Sequence, residues 1–145
     1  MAMRPTLYPL PLIGWKEHVL LPLLGHGQVA AKIDTGARTA ALHAEDISIW
    51  GRKVRFTFES AGRRLRCEVP LADVKRIKSS NGASQLRPVI ETMIHVGTHQ
   101  FETLITLTDR ADMGVPMLLG RDTLKGRFLV NPSRSFLLSR RKVSP

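Results

Sequence analysis

The chain has 145 residues, a length that predicts one domain with a modest core and leaves no room for two. Hydrophobic residues make up 43% of the chain and charged residues 23%, which is typical of a folded globular protein and excludes a disordered one. The formal net charge of +10 at pH 7 attracts polyanions. RNA, a ribosome or an acidic peptide are candidate partners, and a solvated basic face without a dedicated partner is the alternative.

No segment approaches the roughly 18 consecutive apolar residues that a membrane-spanning helix needs. We therefore expect no membrane association. The N-terminal apolar run is interrupted by Pro9 and Pro11 and is followed by Lys16 and Glu17, which does not fit a cleaved signal peptide. The single cysteine, Cys67, excludes an internal disulfide and fits a reducing compartment. The sequence therefore predicts a cytoplasmic protein.

In chain order, the first twelve residues are rich in proline and are predicted to form an extended arm. The short apolar segment 20–24 contains Pro22, which places it at a sheet edge. A turn at Gly25-His26-Gly27 then leads into a strand. Alternation of apolar and polar residues on either side of Ala61-Gly62 predicts a hairpin with one buried face. The strands predicted in this half are 28–33, 40–44, 47–50, 53–59 and 64–69.

The second half continues the pattern of short strands separated by turns. Small polar residues at 79–84 predict a mobile hairpin tip, and Gly97-Thr98 predicts a second hairpin. Residues 121–125 predict one short helical turn that ends at Gly126. The further strands predicted here are 89–96, 99–107, 117–119 and a closing pair at 128–130 and 135–138. The fold class is therefore all-β, with one short helix near the C-terminus.

The tripeptide Asp34-Thr35-Gly36 places a carboxylate on a tight turn directly after an apolar strand. Glycine allows backbone conformations that other residues resist, and the threonine can hydrogen-bond locally. Alone, this tripeptide is more often an ordinary turn than a catalytic one. A second segment far downstream, Leu118-Leu119-Gly120-Arg121-Asp122, favours the catalytic interpretation, because an apolar pair followed by Gly-Arg is found at this place in retropepsins.

These two segments, together with 128–136, resemble the bacterial retropepsin-like family, which is often catalogued as ATP-dependent zinc proteases. The resemblance runs from about residue 13 to 138 and implies a closed single-lobe β-barrel with the acid-protease fold. It divides the chain into an arm at 1–12, a retropepsin-like domain at 13–138 and a basic C-terminal tail at 139–145.

The resemblance implies that Asp34 is the catalytic aspartate, that Gly36 shapes its turn, and that Thr35 hydrogen-bonds across a dimer. Leu118, Leu119 and Gly120 are implied to pack beneath the catalytic loop as its structural support. Ser80, Asn81 and Gly82 fall where retropepsins carry the flap that closes over the substrate, which makes them candidate substrate-binding residues. An ordinary surface loop is the alternative at this position.

Two aspartates that share one proton can hydrolyse a peptide bond without a metal ion. The chain has a single Asp-Thr-Gly, so an aspartic peptidase would need the second aspartate from another copy, and we expect a two-fold homodimer. Arg38 departs from the viral pattern, which has acids after the tripeptide. Three roles remain open for Arg38: lowering the carboxylate pKa values of the pair, forming a salt bridge with Glu45 or Asp46, or binding a substrate carboxylate.

Neither zinc nor ATP is predicted as a cofactor. The five histidines include no His-Glu-x-x-His motif, and Gly97-Thr98 separates His95 from His99 across a turn. His43, close to the catalytic turn, is the histidine most worth examining. The chain also lacks the glycine-rich phosphate loop followed by Lys and Ser or Thr.

Two functional hypotheses remain. The first is a homodimeric aspartic endopeptidase acting on a peptide or protein substrate. Arg38 and the charge of +10 favour an acidic substrate, and the resemblance implies glutamate-tailed peptides and an association with an ATP-grasp glutamate ligase or a ribosomal protein. The second is a non-catalytic basic adaptor that binds a ribosome, RNA or a glutamate-ligase partner.

Overall fold

The computed structural model describes residues 10–78 and 82–139, and within them it contains twelve strands, one short helix and one 3-10 turn. The strands are β1 (Leu12–Gly14), β2 (Lys16–Leu21), β3 (Gly27–Ile33), β4 (Ala40–His43), β5 (Glu45–Trp50), β6 (Lys53–Ser60), β7 (Arg63–Pro70), β8 (Asp73–Lys78), β9 (Ser84–Val96), β10 (His99–Thr108), β11 (Met117–Leu119) and β12 (Leu129–Asn131). The helix α1 spans Arg121–Leu124, and the 3-10 turn spans Ala111–Met113.

Six strands close into a barrel in the order β10-β4-β11-β3-β2-β9, and the antiparallel pairing of β9 with β10 completes the ring. The strand β8 pairs with β9 outside this ring and forms a projecting hairpin with it. The predicted fold class, a closed all-β barrel of one lobe with a short helix near the C-terminus, is confirmed. No helix in the described part of the chain is long and apolar enough to span a bilayer.

The hydrophobic core fills the barrel because barrel strands alternate buried and more exposed residues, as β2 and β3 do along their length. A separate sheet of β5, β6 and β7 packs against the barrel through β6, which buries Val54, Phe56 and Phe58 in the same core. The lone cysteine, Cys67, lies on β7 and is buried against this core, which raises the pKa of its thiol.

Two of the predicted strand positions are wrong. The segment around Pro22 is not a sheet edge, because β2 ends at Leu21 and lies between β3 and β9. Pro22 falls in the following turn, where its missing N–H interrupts no sheet hydrogen bond. The predicted pair 128–130 with 135–138 does not form either: β12 pairs in parallel with β1, and residues 135–138 are not a strand.

Residues 137–139 are held instead by the carboxylate of Glu17, which is fully buried on β2. Its Oε2 accepts hydrogen bonds from the backbone N–H of Leu137 at 3.0 Å and of Gly14 at 2.7 Å. Its Oε1 accepts from the backbone N–H of Ser139 at 3.0 Å and from the Ser139 hydroxyl at 2.6 Å. The carboxylate therefore accepts hydrogen bonds that the backbone of a neighbouring strand would otherwise accept, and it holds Gly14 and residues 137–139 against β2.

Glu17→Gln is expected to destabilise the fold by about 3 kcal/mol, because one carboxylate oxygen is replaced by an NH₂ group that faces buried N–H donors. Denaturant unfolding followed by circular dichroism measures this change. Glu91→Gln, on the exposed side of β9, is the matched control and should change the free energy of unfolding by less than about 0.5 kcal/mol. Equal effects of the two substitutions would contradict the assigned role of Glu17.

Candidate functional site

The Asp34-Thr35-Gly36 turn begins directly where β3 ends at Ile33. Asp34 Oδ1 accepts a hydrogen bond from the Gly36 backbone N–H at 2.9 Å, and the Asp34 carbonyl accepts one from Ala37 N–H at 3.1 Å. The Asp34 side chain is half-buried, whereas Thr35 and Gly36 are exposed. The turn therefore presents a fixed carboxylate at its base and a free surface at its tip.

The strand β11 supports this turn from below. It pairs in parallel with β3, with Leu119 opposite Ile33, and antiparallel with β4, with Met117 opposite Leu42. The Leu119 carbonyl accepts the Asp34 backbone N–H at 2.9 Å. Because β11 bonds to the strands on both sides of the turn, the position of Asp34 is determined by the barrel strands and not by a flexible loop.

Gly120 and Arg121 extend this support to the far side of the turn. A Cβ on Gly120 would lie 2.6 Å from the Thr39 carbonyl oxygen and 2.7 Å from the Thr39 nitrogen, so only glycine fits there. The Arg121 guanidinium Nη1 donates to the Thr35 carbonyl at 3.0 Å, and the Arg121 backbone N–H donates to the Ala37 carbonyl at 2.9 Å. The beginning of α1 is thus bonded to the backbone of the turn.

Arg38 does not form the salt bridge with Glu45 or Asp46 that the sequence left open. Its Nε lies 3.8 Å from Asp122 Oδ2, and its side chain is 81% exposed. Glu45 and Asp46 are instead paired with Arg64, at 2.6 and 3.7 Å. The hydrogen bond from Arg64 holds the pKa of the Glu45 carboxyl below its usual value. Arg38 is therefore a solvent-facing cation next to the Asp34-Thr35-Gly36 turn, with Asp122 as its acidic neighbour.

The predicted flap residues lie between β8 and β9, which pair antiparallel from Asp73 opposite Val89 to Lys78 opposite Ser84. Ser80 and Asn81 lie outside the described residues. Gly82 has φ +85°, a conformation that favours glycine, and a Cβ added there would meet open space. A role of these residues in substrate binding stays a prediction.

A cavity of about 590 Å³ lies elsewhere on the described chain and does not include Asp34. Its lining residues come mainly from β2, β3, β4 and the loops after β6 and β10: His18, Gln28, Val29, Ala30, His43, Glu59, Ala61, Gly62, Arg110, Ala111, Gly114, Val115 and Pro116. The half-buried carboxylate of Asp34 thus does not line this cavity.

Among the described residues, one group brings three side chains with metal-ligand atoms together: His43, Glu45 and Asp109, within 4.8 Å of one another. His43 Nδ1 accepts the backbone N–H of Arg110 at 3.0 Å, so in the neutral ring the proton is on Nε2 and no lone pair remains there for a metal. Glu45 Oε1 is bonded to Arg64. The group does not fit a zinc site, whose histidines donate their second ring N–H to an acceptor.

Sequence reasoning missed two residues that shape this region. Apart from its position after Gly120, nothing in the sequence indicated that Arg121 donates a hydrogen bond to the Thr35 carbonyl. The sequence did give a weak signal for Glu17, because it is the only acidic residue before Asp34 and lies within an otherwise mostly apolar stretch.

A family model described as "Retropepsin-like aspartic endopeptidase RimB" matches residues 12–141. A probable alpha-L-glutamate ligase of Shewanella pealeana is 40% identical over 135 residues, which cover 88% of this chain and 30% of that protein. A probable alpha-L-glutamate ligase of Desulfotalea psychrophila is 33% identical over 130 residues, covering 84% of this chain and 28% of that protein. The chain therefore spans less than a third of the length of these relatives.

A crystal structure of a Legionella pneumophila protein of unknown function is similar to this structure with a TM-score of 0.73 and 28% sequence identity. The similarity covers 88% of this chain and 98% of the Legionella chain. A separate protein of nearly the same extent thus has the same fold.

Gly120→Ala is expected to lower the free energy of unfolding by about 3 kcal/mol, because the new Cβ would overlap the backbone of Thr39 and force the turn and α1 apart. Gly114→Ala is the control. Its Cβ meets open space, and only the left-handed backbone at φ +77° opposes it, which costs about 1 kcal/mol. Thermal and denaturant unfolding of both variants measure the difference, and a milder effect at 120 than at 114 would contradict the close contact.

Proposed function

The chain belongs to the RimB-like family of retropepsin-like aspartic endopeptidases, and from that premise we propose that it hydrolyses peptide bonds with a pair of Asp34 carboxylates, one from each of two copies. The observation that carries the proposal is the Asp34 carboxylate, held on a turn that is bonded on both sides to β11 and α1. A binding surface alone does not require a carboxylate fixed in this way.

The second carboxylate has to come from a partner copy because the sequence contains one Asp-Thr-Gly. The nearby Asp122 belongs to α1 and faces Arg38, so it is not the counterpart of Asp34. The exposed tip of the turn, Thr35 and Gly36, is free to meet its symmetry mate across a two-fold axis. Such an arrangement brings two Asp34 side chains together at the centre of the dimer.

Two carboxylates about 3 Å apart cannot both ionise, so they share one proton. The ionised member accepts a proton from a water molecule held between the two, and the water oxygen attacks the peptide carbonyl carbon. The protonated member donates a hydrogen bond to the carbonyl oxygen as it gains negative charge. Collapse of the tetrahedral intermediate breaks the C–N bond, and the leaving nitrogen takes one of the two protons that the aspartate pair then holds, which returns the pair to its shared-proton state.

We further propose that the substrate is acidic, with a glutamate-tailed protein as the specific case. The relatives of 33–40% identity are named as probable alpha-L-glutamate ligases, and a protein that adds glutamate creates a substrate for one that removes it. The net charge of +10 and the exposed guanidinium of Arg38 beside the catalytic turn support an acidic peptide. A cytoplasmic protein that works with a glutamate ligase, or on a ribosomal protein, fits this proposal.

A second candidate function is a non-catalytic adaptor with a basic surface that binds a ribosome, RNA or a glutamate ligase. One observation favours it: the region similar to this chain occurs as about 30% of proteins that are named for ligation and not for proteolysis. A domain attached to a ligase could position the ligase on its target without cleaving a peptide bond.

Asp34→Asn is expected to reduce peptide cleavage by at least about a thousandfold while folding and association stay unchanged, because the pair can no longer share a proton between two carboxylates. Cleavage of a peptide library followed by mass spectrometry, with analytical ultracentrifugation for association, measures both properties. Asp46→Asn, an exposed aspartate paired with Arg64, is the control and should retain full activity. Cleavage that survives in Asp34→Asn would support the adaptor or another catalytic group.

If the substrate is acidic, cleavage of glutamate-rich peptides should fall steeply as salt is raised from about 50 to 500 mM, because exposed charges are screened over that range. Arg38→Ala should lower kcat/KM for these peptides by about fivefold or more, and Arg134→Ala, an exposed arginine after β12, should not. A preference for apolar peptides that does not depend on salt would exclude the acidic substrate but not the peptidase.

A further inference from the structure

The strand register places like charges opposite each other at two positions in the described part of the chain. Lys16 on β2 faces Lys32 on β3, and Lys75 on β8 faces Arg87 on β9. Like charges at facing positions of an antiparallel pair repel each other and weaken the sheet. The first of the two, hereafter the lysine pair, is next to the candidate site, because Lys32 is two residues before Asp34 and β3 ends between them.

The lysine pair lies on the outer face of the barrel. The next facing pair, Glu17 and Ala31, is fully buried, and buried residues alternate with more exposed ones along both strands. Within residues 10–78 and 82–139, neither lysine forms a salt bridge. The carboxylate of Glu17 does not neutralise them, because it is buried and accepts hydrogen bonds from Gly14 and Ser139. The repulsion between the two ammonium groups is therefore not offset by an acid of the described chain.

The Asp34 side chain leaves the strand on the same face as Lys32. Ile33, between them, is buried in the core, and Asp34 still donates its backbone N–H to the Leu119 carbonyl of β11, so the alternation of β3 extends to Asp34. Two residues span about 6.6 Å along a strand. A peptide whose carbonyl lies at Asp34 therefore has a neighbouring side chain within reach of the Lys32 ammonium group.

The charge of the lysine pair is not used by the described chain, in contrast to the two arginines that follow the turn. Arg121 donates to the Thr35 carbonyl at 3.0 Å, and Arg38 lies 3.8 Å from Asp122. A carboxylate that enters between the two ammonium groups relieves their repulsion and accepts a charge-assisted hydrogen bond from each. The pair thus suits an anionic group of a ligand that is bound at the turn.

We propose that the lysine pair is a specificity site that takes an acidic side chain of the bound peptide close to the bond that is cleaved. The inference rests on the proposed peptidase function, and it deepens it by naming the residues that select the substrate. Lys32, which is exposed, contacts the carboxylate directly, and Lys16, which is half-buried, adds its charge from the neighbouring strand. Lysine suits this role because its ammonium group donates in three directions from a flexible side chain.

The test separates binding from cleavage by using Asp34→Asn protein, which keeps the substrate intact. Short alanine-based peptides whose central residues are all glutamate, all glutamine or all lysine, each with the same uncharged fluorophore, are titrated by fluorescence anisotropy. Lys32→Gln is expected to weaken binding of the glutamate peptide about tenfold and of the glutamine peptide by less than about twofold, because only the first loses a charge-assisted hydrogen bond. Lys32→Arg, which keeps the charge, should keep most of the preference for glutamate.

Lys53→Gln is the matched control, since it removes the same charge from β6, in the sheet outside the barrel, and it should change binding of each peptide by less than about twofold. The double variant Lys16→Glu with Lys32→Glu should bind the lysine peptide better than the glutamate peptide, because the charge of the site is reversed. Equal losses for the glutamate and glutamine peptides, a loss no greater than that of Lys53→Gln, or no preference for glutamate in the parent protein would overturn the specificity site.

A measurement of stability distinguishes a binding role from a structural one. Lys32→Gln should raise the midpoint of thermal unfolding by about 2 °C, because it removes the repulsion from Lys16. Lys53→Gln, which loses a contact of 3.6 Å with Glu68, should not raise it. A lower midpoint for Lys32→Gln would mean that the lysine supports the fold, and it would contradict the proposal.

The specificity site and the proposed function fail in different ways. If wild-type protein cleaves the glutamate and glutamine peptides and Lys32→Gln does not change their ratio of kcat/KM, the peptidase stands and the specificity site is wrong. If glutamate-specific binding depends on Lys32 but wild-type protein cleaves no peptide, the anion site stands and the peptidase is wrong.

Discussion

The contact of Gly120 with the backbone of Arg38 and Thr39 is the constraint on which the candidate site depends. Because Gly120 has no side chain, β11 and α1 can approach the Asp34-Thr35-Gly36 turn closely enough for backbone groups to bond across it. Arg121 then reaches the Thr35 carbonyl from the same side. The carboxylate of Asp34 is thereby held by a contact between segments that are more than eighty residues apart in sequence, and its orientation is determined by the barrel.

The second constraint is the buried carboxylate of Glu17, which determines what surface remains for a partner. It bonds both Gly14 and residues 137–139 to β2 of the same chain, and β1 pairs with β12 within that chain. The backbone groups of these described segments therefore bond to partners within the same chain. The tip of the Asp34-Thr35-Gly36 turn is different, because Thr35 and Gly36 are exposed there. The exposed tip is therefore the part of the turn that a partner copy could contact in the proposed dimer.

Much of the fold could be predicted because its signals are local. The alternation in β6 and β7, the turn at Ala61-Gly62 and the short helix before Gly126 each depend on residues within a few positions of one another. The edge position of 20–24 was wrong because Pro22 indicates where a strand cannot continue, not where it lies in the sheet. The strand at 135–138 was wrong because a segment whose N–H groups bond to a distant carboxylate has the same apolar character as a strand.

The site could be predicted only in part for a related reason. Asp34 and Gly120 belong to short motifs, and the sequence therefore identifies them. The partner of Arg38, the acceptor of Arg121 and the pairing of Lys75 opposite Arg87 depend on register and on approach between strands. A single sequence does not show which residues these contacts bring together.

The most direct test of the central claim, that two chains each contribute one Asp34, is a mixing experiment. Wild-type and Asp34→Asn chains are combined in equal amounts at constant total concentration, and subunit exchange is verified by native mass spectrometry of differently tagged chains. If both carboxylates are needed, activity falls to about one quarter of that of pure wild-type protein, because random pairing leaves about a quarter of the dimers with two aspartates. Activity of about one half after complete exchange would contradict the claim, since it would mean that each wild-type chain works alone.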